Sequence, residues 1–262
     1  MRKLTKGRMT PLIKQLSSFL ALSILLGAAA SPLFAQDKSQ KDELTSPPYI
    51  ARTSNSAMVL FHFKTEDIQP LLPKNVKAKA DEKGVVSGGI EMYTTDQAFG
   101  TPNYSLVFFF VEVTGINGDD KASGNWALWG KMDNDIALNH FINFYNYPYS
   151  VEKNLTIKRE GDESSITVGD SSKEGFTLKL KAKTDQPLSA GGVANSFSQL
   201  TNGKVVKTEI PWLVDGNQAT VVSFDVQSGK SPILSVLKKG KPVFSAMSKN
   251  SFSYQRPHPQ TK

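Results

Sequence analysis

The sequence has no cysteine and only three histidines, His62, His140 and His258. The first absence removes disulfides, thiol nucleophiles, thiolate zinc sites and cysteine-held iron–sulfur clusters together. The second leaves little from which to build a serine triad or a histidine metal centre. His62 sits among apolar neighbours in VLFHFK and reads as a strand histidine. His140 lies one residue off an apolar helical stripe and has no second ligand at i+4, so a metal site has no support. His258 is held between prolines near the end of the chain. There is no G-x-S-x-G elbow, no G-x-G-x-x-G and no Walker A motif, so neither hydrolase nor nucleotide chemistry has a motif behind it. No metal and no cofactor is implied.

A long apolar run is also missing. The longest is FLALSILLGAAA, Phe19 to Ala30, and a membrane span needs about 20 residues. It follows the basic opening MRKLTKGRMTPLIKQ and precedes SPLFA and a polar stretch. This is the order of a secretory signal, with cleavage expected after Ala35 and Ala30 as the alternative. The expected product is periplasmic or secreted, without stable membrane insertion. An excess of positive charge is missing too. The net charge is +7, but Arg2, Lys3, Lys6, Arg8 and Lys14 lie in the signal. Removing these five from 31 basic residues leaves 26 against 24 acidic ones, a balance of +2. That argues against nucleic-acid binding.

What is present is strand. Gln36–Ser54 is polar, contains Pro47–Pro48 and reads as a linker; residues 255–262 read as a frayed tail. Between them, 55–254 is expected to form one domain. Ala57–Lys64, Tyr104–Thr114, Asn154–Glu160, Ser164–Val168, Phe176–Lys183, Lys204–Ile210 and Ala219–Gln227 carry strand patterns. Glu160–Ser164 predicts a hairpin, and the Gly/Asp and Gly/Asn pairs at 161, 169, 202 and 215 predict turns. Two short helices are expected: one over Glu66–Leu72 capped by Thr65, and one from Asp133 or Asn134 through Tyr145 with Ala137, Phe141, Phe144 and Tyr145 on one face.

Two carboxylates stand out as candidate acid–base groups. Glu112 follows Tyr104, Leu106, Phe108 and Phe110 on one parity of a strand, and Glu91 lies in GGIEMY. Enclosed beside aromatic rings, either would have a raised pKa; at a strand end facing solvent, neither would. Aromatic residues crowd positions 99–149, which suits an apolar pocket or a plain core equally.

The order of segments resembles the acetoacetate decarboxylase superfamily. IQPLLP at Ile68–Pro73, the Gly88–Gly89 strand start, the strand at Tyr104, GNWALWGKMDNDIALNHFINFYNYPYS over 124–150 and SPILSV at Ser231–Val236 carry the resemblance, which spans Ala57–Phe244. It implies a mainly β (α+β) fold: an antiparallel sheet or half-open β-barrel with two or three short helices around a central pocket. In that family a lysine, its pKa lowered by a neighbouring cation and by burial, forms an imine with a β-keto acid.

The family's functional residues do not carry over. Aligning Tyr147–Pro148 with the family's aromatic-Pro puts Tyr149 at the imine lysine and Ser150 at its neighbour. The Gly-Arg-Glu segment falls on Phe141, Ile142 and Asn143, and the family's glutamate falls near Leu106. Lys153 restores an amine only if the loop shifts register. The resemblance therefore implies a pocket without Schiff-base chemistry. Tyr147, Tyr149 and Ser150 would form its floor, and Tyr104, Phe108, Phe110 and Trp126 or Trp129 its wall. Its partner would be a small apolar or carbonyl-bearing molecule. The alternative is a lyase or hydratase on a keto acid that uses Glu112 or Glu91 as acid or base, with Tyr149 donating to a carbonyl oxygen. The oligomeric state stays open.

Overall fold

Strand patterning organises the chain, and the computed structural model describes residues 44–260. The expected signal segment lies outside these residues. Thirteen strands form one sheet: β1 (Tyr49–Lys64), β2 (Lys77–Ala78), β3 (Val85–Thr94), β4 (Gln97–Phe99), β5 (Ser105–Ile116), β6 (Asp119–Met132), β7 (Tyr149–Val151), β8 (Leu155–Glu160), β9 (Glu163–Asp170), β10 (Glu174–Gln199), β11 (Val205–Gln227), β12 (Lys241–Tyr254) and β13 (His258–Pro259). Three short helices accompany them: α1 (Thr65–Ile68), α2 (Asp135–Tyr145) and α3 (Pro232–Lys239). The protein is mainly β, as expected, although the sheet is mixed: β6 pairs in parallel with both β10 and β7.

The pairing order β11-β12-β1-β3-β5-β6-β10 returns to β11, because β10 and β11 also pair. The ring is thereby closed into a barrel. The seam is thin: β10 meets β6 through Ser196–Asn125 and Phe197–Trp126 alone. The β10–β11 hairpin is long enough to serve two layers. Its register breaks between Ala182 and Pro187. Beyond the break, Pro187–Gln199 forms barrel wall; before it, Gly175–Lys181 joins β9 and β8 in a flanking sheet.

Alternation then divides the apolar residues into two cores. Val59, Phe61, Ile90, Phe109 and Val111 face outward against Ile166, Val168, Phe176 and Leu178 of the flanking sheet, with Leu234 and Leu237 of α3. Tyr93, Leu106, Ala127, Met132, Phe252 and Tyr254 face into the barrel, joined by Ala137, Phe141 and Tyr145 of α2. Helix α2 starts at Asn134, whose side chain accepts from the Ala137 N–H, and ends at Asn146 in the left-handed region with φ 50°.

Several sequence expectations need correction. The linker ends sooner, because Tyr49, Ala51 and Thr53 alternate inward and pair with Tyr254, Phe252 and Asn250. The tail is not wholly frayed, since His258 and Pro259 pair with Lys207 and Val206. Thr65 is not a cap; its hydroxyl donates to the Gly84 carbonyl, and α1 gives way to a 3-10 turn over Gln69–Leu71. Asp215–Gly216 is not a turn but mid-strand in β11. A Cβ at Gly216 would lie 2.2 Å from the Met247 carbonyl oxygen, so the glycine permits the close approach of β12.

Candidate functional site in the barrel interior

One cross-strand row builds the site. Gln218, Ala246, Met58, Glu91, Phe108, Gly130 and Tyr149 are successive partners across β11, β12, β1, β3, β5, β6 and β7. Residues directly opposite in a sheet share a face, so Glu91 and Tyr149 both look into the barrel. Gly130 makes the spacing work. A Cβ there would lie 2.3 Å from the Tyr149 ring, so only glycine lets the tyrosine lie down over β6. The Tyr149 ring then comes to 6.1 Å from Phe108 and 6.2 Å from Phe141.

The neighbouring residues are phenols. Tyr93 is two positions from Glu91 on β3, and its hydroxyl lies 3.4 Å from that of Tyr104 and 3.3 Å from that of Tyr254. Tyr145, Tyr147 and Tyr149 form a ladder, with ring centroids 5.3 and 5.2 Å apart, because YNYPY is extended past the left-handed Asn146. The Tyr147 hydroxyl donates to Ser196 Oγ at 3.0 Å. On the β1–β12 side, Asn250 Nδ2 donates to Ser56 Oγ, and the Ser248 hydroxyl donates to Asn250 Oδ1.

Among the described residues, neither the Glu91 carboxyl nor the Tyr149 hydroxyl has a hydrogen-bond or ion-pair partner. Glu91 is half-buried. Burial pushes its pKa up to about 7. Burial also raises the phenols of Tyr93, Tyr104, Tyr149 and Tyr254, with the charge of Glu91 a further cause for each. These hydroxyls therefore stay protonated at physiological pH and remain donors. Tyr147, raised by burial to about 12, stays protonated likewise.

The structure sorts the sequence candidates. Glu91, Tyr104, Phe108, Phe110, Tyr147 and Tyr149 share the interior side. Glu112 shares the parity of Phe108 and Phe110 but has reached solvent, 3.3 Å from Lys79 Nζ. Trp126 and Trp129 do not line the interior; both pack in the outer core, Trp129 at 6.3 Å from Phe176. A bulge causes this: Phe109 pairs with Trp129 and Phe110 with Ala127, so Leu128 is the extra residue and the parity flips between the tryptophans. Ser150 is exposed and faces outward, accepting from Lys131 Nζ at 3.0 Å. Lys153 is exposed in the turn after β7. Met58, Tyr93, Tyr254, Ser56 and Asn250 escaped the sequence reading; the alternation in SFSY at 251–254 was the available signal for Tyr254.

No protein-family model and no curated protein matches the sequence. Solved structures do match. The fold is similar to that of acetoacetate decarboxylase from Legionella pneumophila, with a TM-score of 0.62 and 15% identity over 89% of this chain and 98% of that one. An acetoacetate decarboxylase-like enzyme from Sphingomonas wittichii RW1 gives a TM-score of 0.60 and 11% identity, covering 89% of this chain and 100% of the other. The enduracididine biosynthesis enzyme MppR, solved in complex with pyruvate, gives 0.53 and 11% over 89% and 98%. Together with the closed barrel and its inward phenols, these likenesses establish the architecture: the chain has the acetoacetate decarboxylase-like fold.

Proposed function

We propose that the chain is an exported protein that binds a small, largely apolar, carbonyl-bearing molecule inside the barrel, without Schiff-base chemistry. The observation that carries this is the unpartnered pair in one interior row, Glu91 and Tyr149. A phenol that has no partner and stays protonated donates to a carbonyl oxygen. Aromatic walls and few polar groups are the usual composition of such a site. An imine needs an amine, and the candidate position holds Tyr149 while Lys153 is exposed. The likeness to MppR, a protein solved with pyruvate, supports no more than small-molecule binding in this fold.

The Glu91 carboxyl favours a second reading. A pKa of about 7 suits a general acid or base, and Tyr149 would polarise the carbonyl, as in a hydratase or lyase that needs no lysine.

The test uses intact-mass measurement after incubation with acetoacetate or its neutral methyl ester and borohydride, and a titration with methyl levulinate followed by ligand NMR. The expected result is no mass addition, and methyl levulinate binding that weakens in Tyr149→Phe. A reduced adduct mapped to a lysine, or no binding by the unaltered protein, overturns the proposal. Export is tested separately: the protein recovered outside the cytoplasm should begin at Gln36.

A further inference from the structure

We propose that the barrel interior selects an uncharged carbonyl compound and rejects keto acids, because Glu91, an ionisable carboxyl on the inner face, has no cation to offset it among the described residues. The inference rests on the reading of that interior as a ligand site and names the class of ligand.

The distribution of charge carries the argument. No lysine or arginine among the described residues is buried. Those nearest the site turn outward to other partners: Lys131 to Ser150 and Glu152, Lys79 to Glu112, Lys207 to Glu209. The side chains that flank Glu91 across the row, Met58 and Phe108, are apolar. The titratable groups facing it are the phenols of Tyr93 on β3, Tyr104 before β5, Tyr149 on β7 and Tyr254 on β12. Each of these donates a hydrogen bond and none carries a positive charge.

A ligand carboxylate entering this space gives up its water and gains no counter-ion. It also meets a second carboxylate, and two such groups in one low-dielectric site cannot both stay ionised. A ketone or ester meets the opposite situation. Its oxygen accepts from the Tyr149 hydroxyl, and its alkyl part lies against Phe108 and Met58. The decarboxylation that names the fold needs a carboxylate in the site, and this interior is built to keep one out.

The test compares methyl levulinate with levulinate, the same keto skeleton as ester and as anion, by ligand NMR on the full chain at pH 8 and pH 6. At pH 8 the ester should bind at least about tenfold tighter. The ratio should narrow at pH 6, where Glu91 takes up its proton and levulinate is still an anion. It should narrow at pH 8 in Glu91→Gln, with thermal melting used to show that this variant folds. The pH series on the unaltered protein stands as the test if it does not. Levulinate binding as tightly as the ester, or a preference that persists unchanged at pH 6, overturns the inference and leaves the ligand site intact. Failure of both compounds to bind overturns the ligand-site reading itself.

Discussion

Glu91 and Tyr149 stand on one face of the barrel, three strand steps apart through Phe108 and Gly130, and neither has a hydrogen-bond partner among the described residues. Folding has placed a carboxyl between Met58 and Phe108 and a phenol against Gly130, on the inner face of the sheet. Polar side chains inside proteins are nearly always paired, so two unpaired groups in one row are what the proposed ligand would bond.

Gly130 holds this geometry. In Gly130→Ala the new methyl group meets the Tyr149 ring, and the ring or β7 must move. Overpacking of this kind costs about 1–3 kcal/mol, read from the denaturant midpoint. Removing the ring in the double variant Gly130→Ala with Tyr149→Ala should return part of that loss. If the two effects simply add, the contact is not the cause.

Glu91 predicts the pH dependence of stability. Its carboxyl titrates near 4.5 in the unfolded chain and near 7 in the folded one, raised by burial. Between these values the folded state binds more protons, so stability falls as pH rises from about 4.5 to about 7 and then levels. The loss at the upper plateau is at most about 3 kcal/mol. Glu91→Gln should flatten this part of the stability curve and be the more stable protein at pH 8. Equal slopes in both proteins between pH 5 and pH 7 would show that Glu91 is not the group responsible.

A lysine at position 149 would restore an amine to the interior row. Tyr149→Lys should therefore gain a borohydride-trapped adduct with acetoacetone-type neutral ketones that the unaltered protein lacks, detected by intact mass. Desolvation disfavours the ammonium while the Glu91 carboxylate favours it, so the adduct should form faster when Glu91→Gln is added. A correctly folded variant with no adduct would place residue 149 away from the ligand.

Much of this was legible in the residues. The alternation of Leu106, Phe108, Phe110 and Glu112 showed one face of β5, and the Glu160–Ser164 hairpin and the Asn134 cap fell where expected. What was hidden depended on distant partners. The bulge at Leu128 is set by pairing with β5, and it turned Trp126 and Trp129 to the outer core. Pro187–Gln199 is rich in small residues, and its barrel-wall role comes from β11, not from its own pattern. Glu91 and Glu112 were equal in the sequence. Only the closure of the barrel leaves Glu112 beside Lys79 in solvent and Glu91 enclosed.

Tyr147 and Tyr149 are stacked neighbours, 5.2 Å between ring centroids, yet they should respond oppositely to loss of the hydroxyl. Tyr147 donates to Ser196, and the Thr208 hydroxyl nearby is already buried without a partner. Tyr147→Phe leaves Ser196 without that donor, a buried polar loss of about 1–3 kcal/mol. Tyr149 has no partner among the described residues to strand, so Tyr149→Phe should change stability by less than about 0.5 kcal/mol. Its effect belongs in binding: methyl levulinate affinity should fall several-fold in Tyr149→Phe. Thermal melts and ligand titrations on the two variants separate the roles. A Tyr149→Phe protein that loses stability and keeps its ligand affinity would assign that hydroxyl to structure instead.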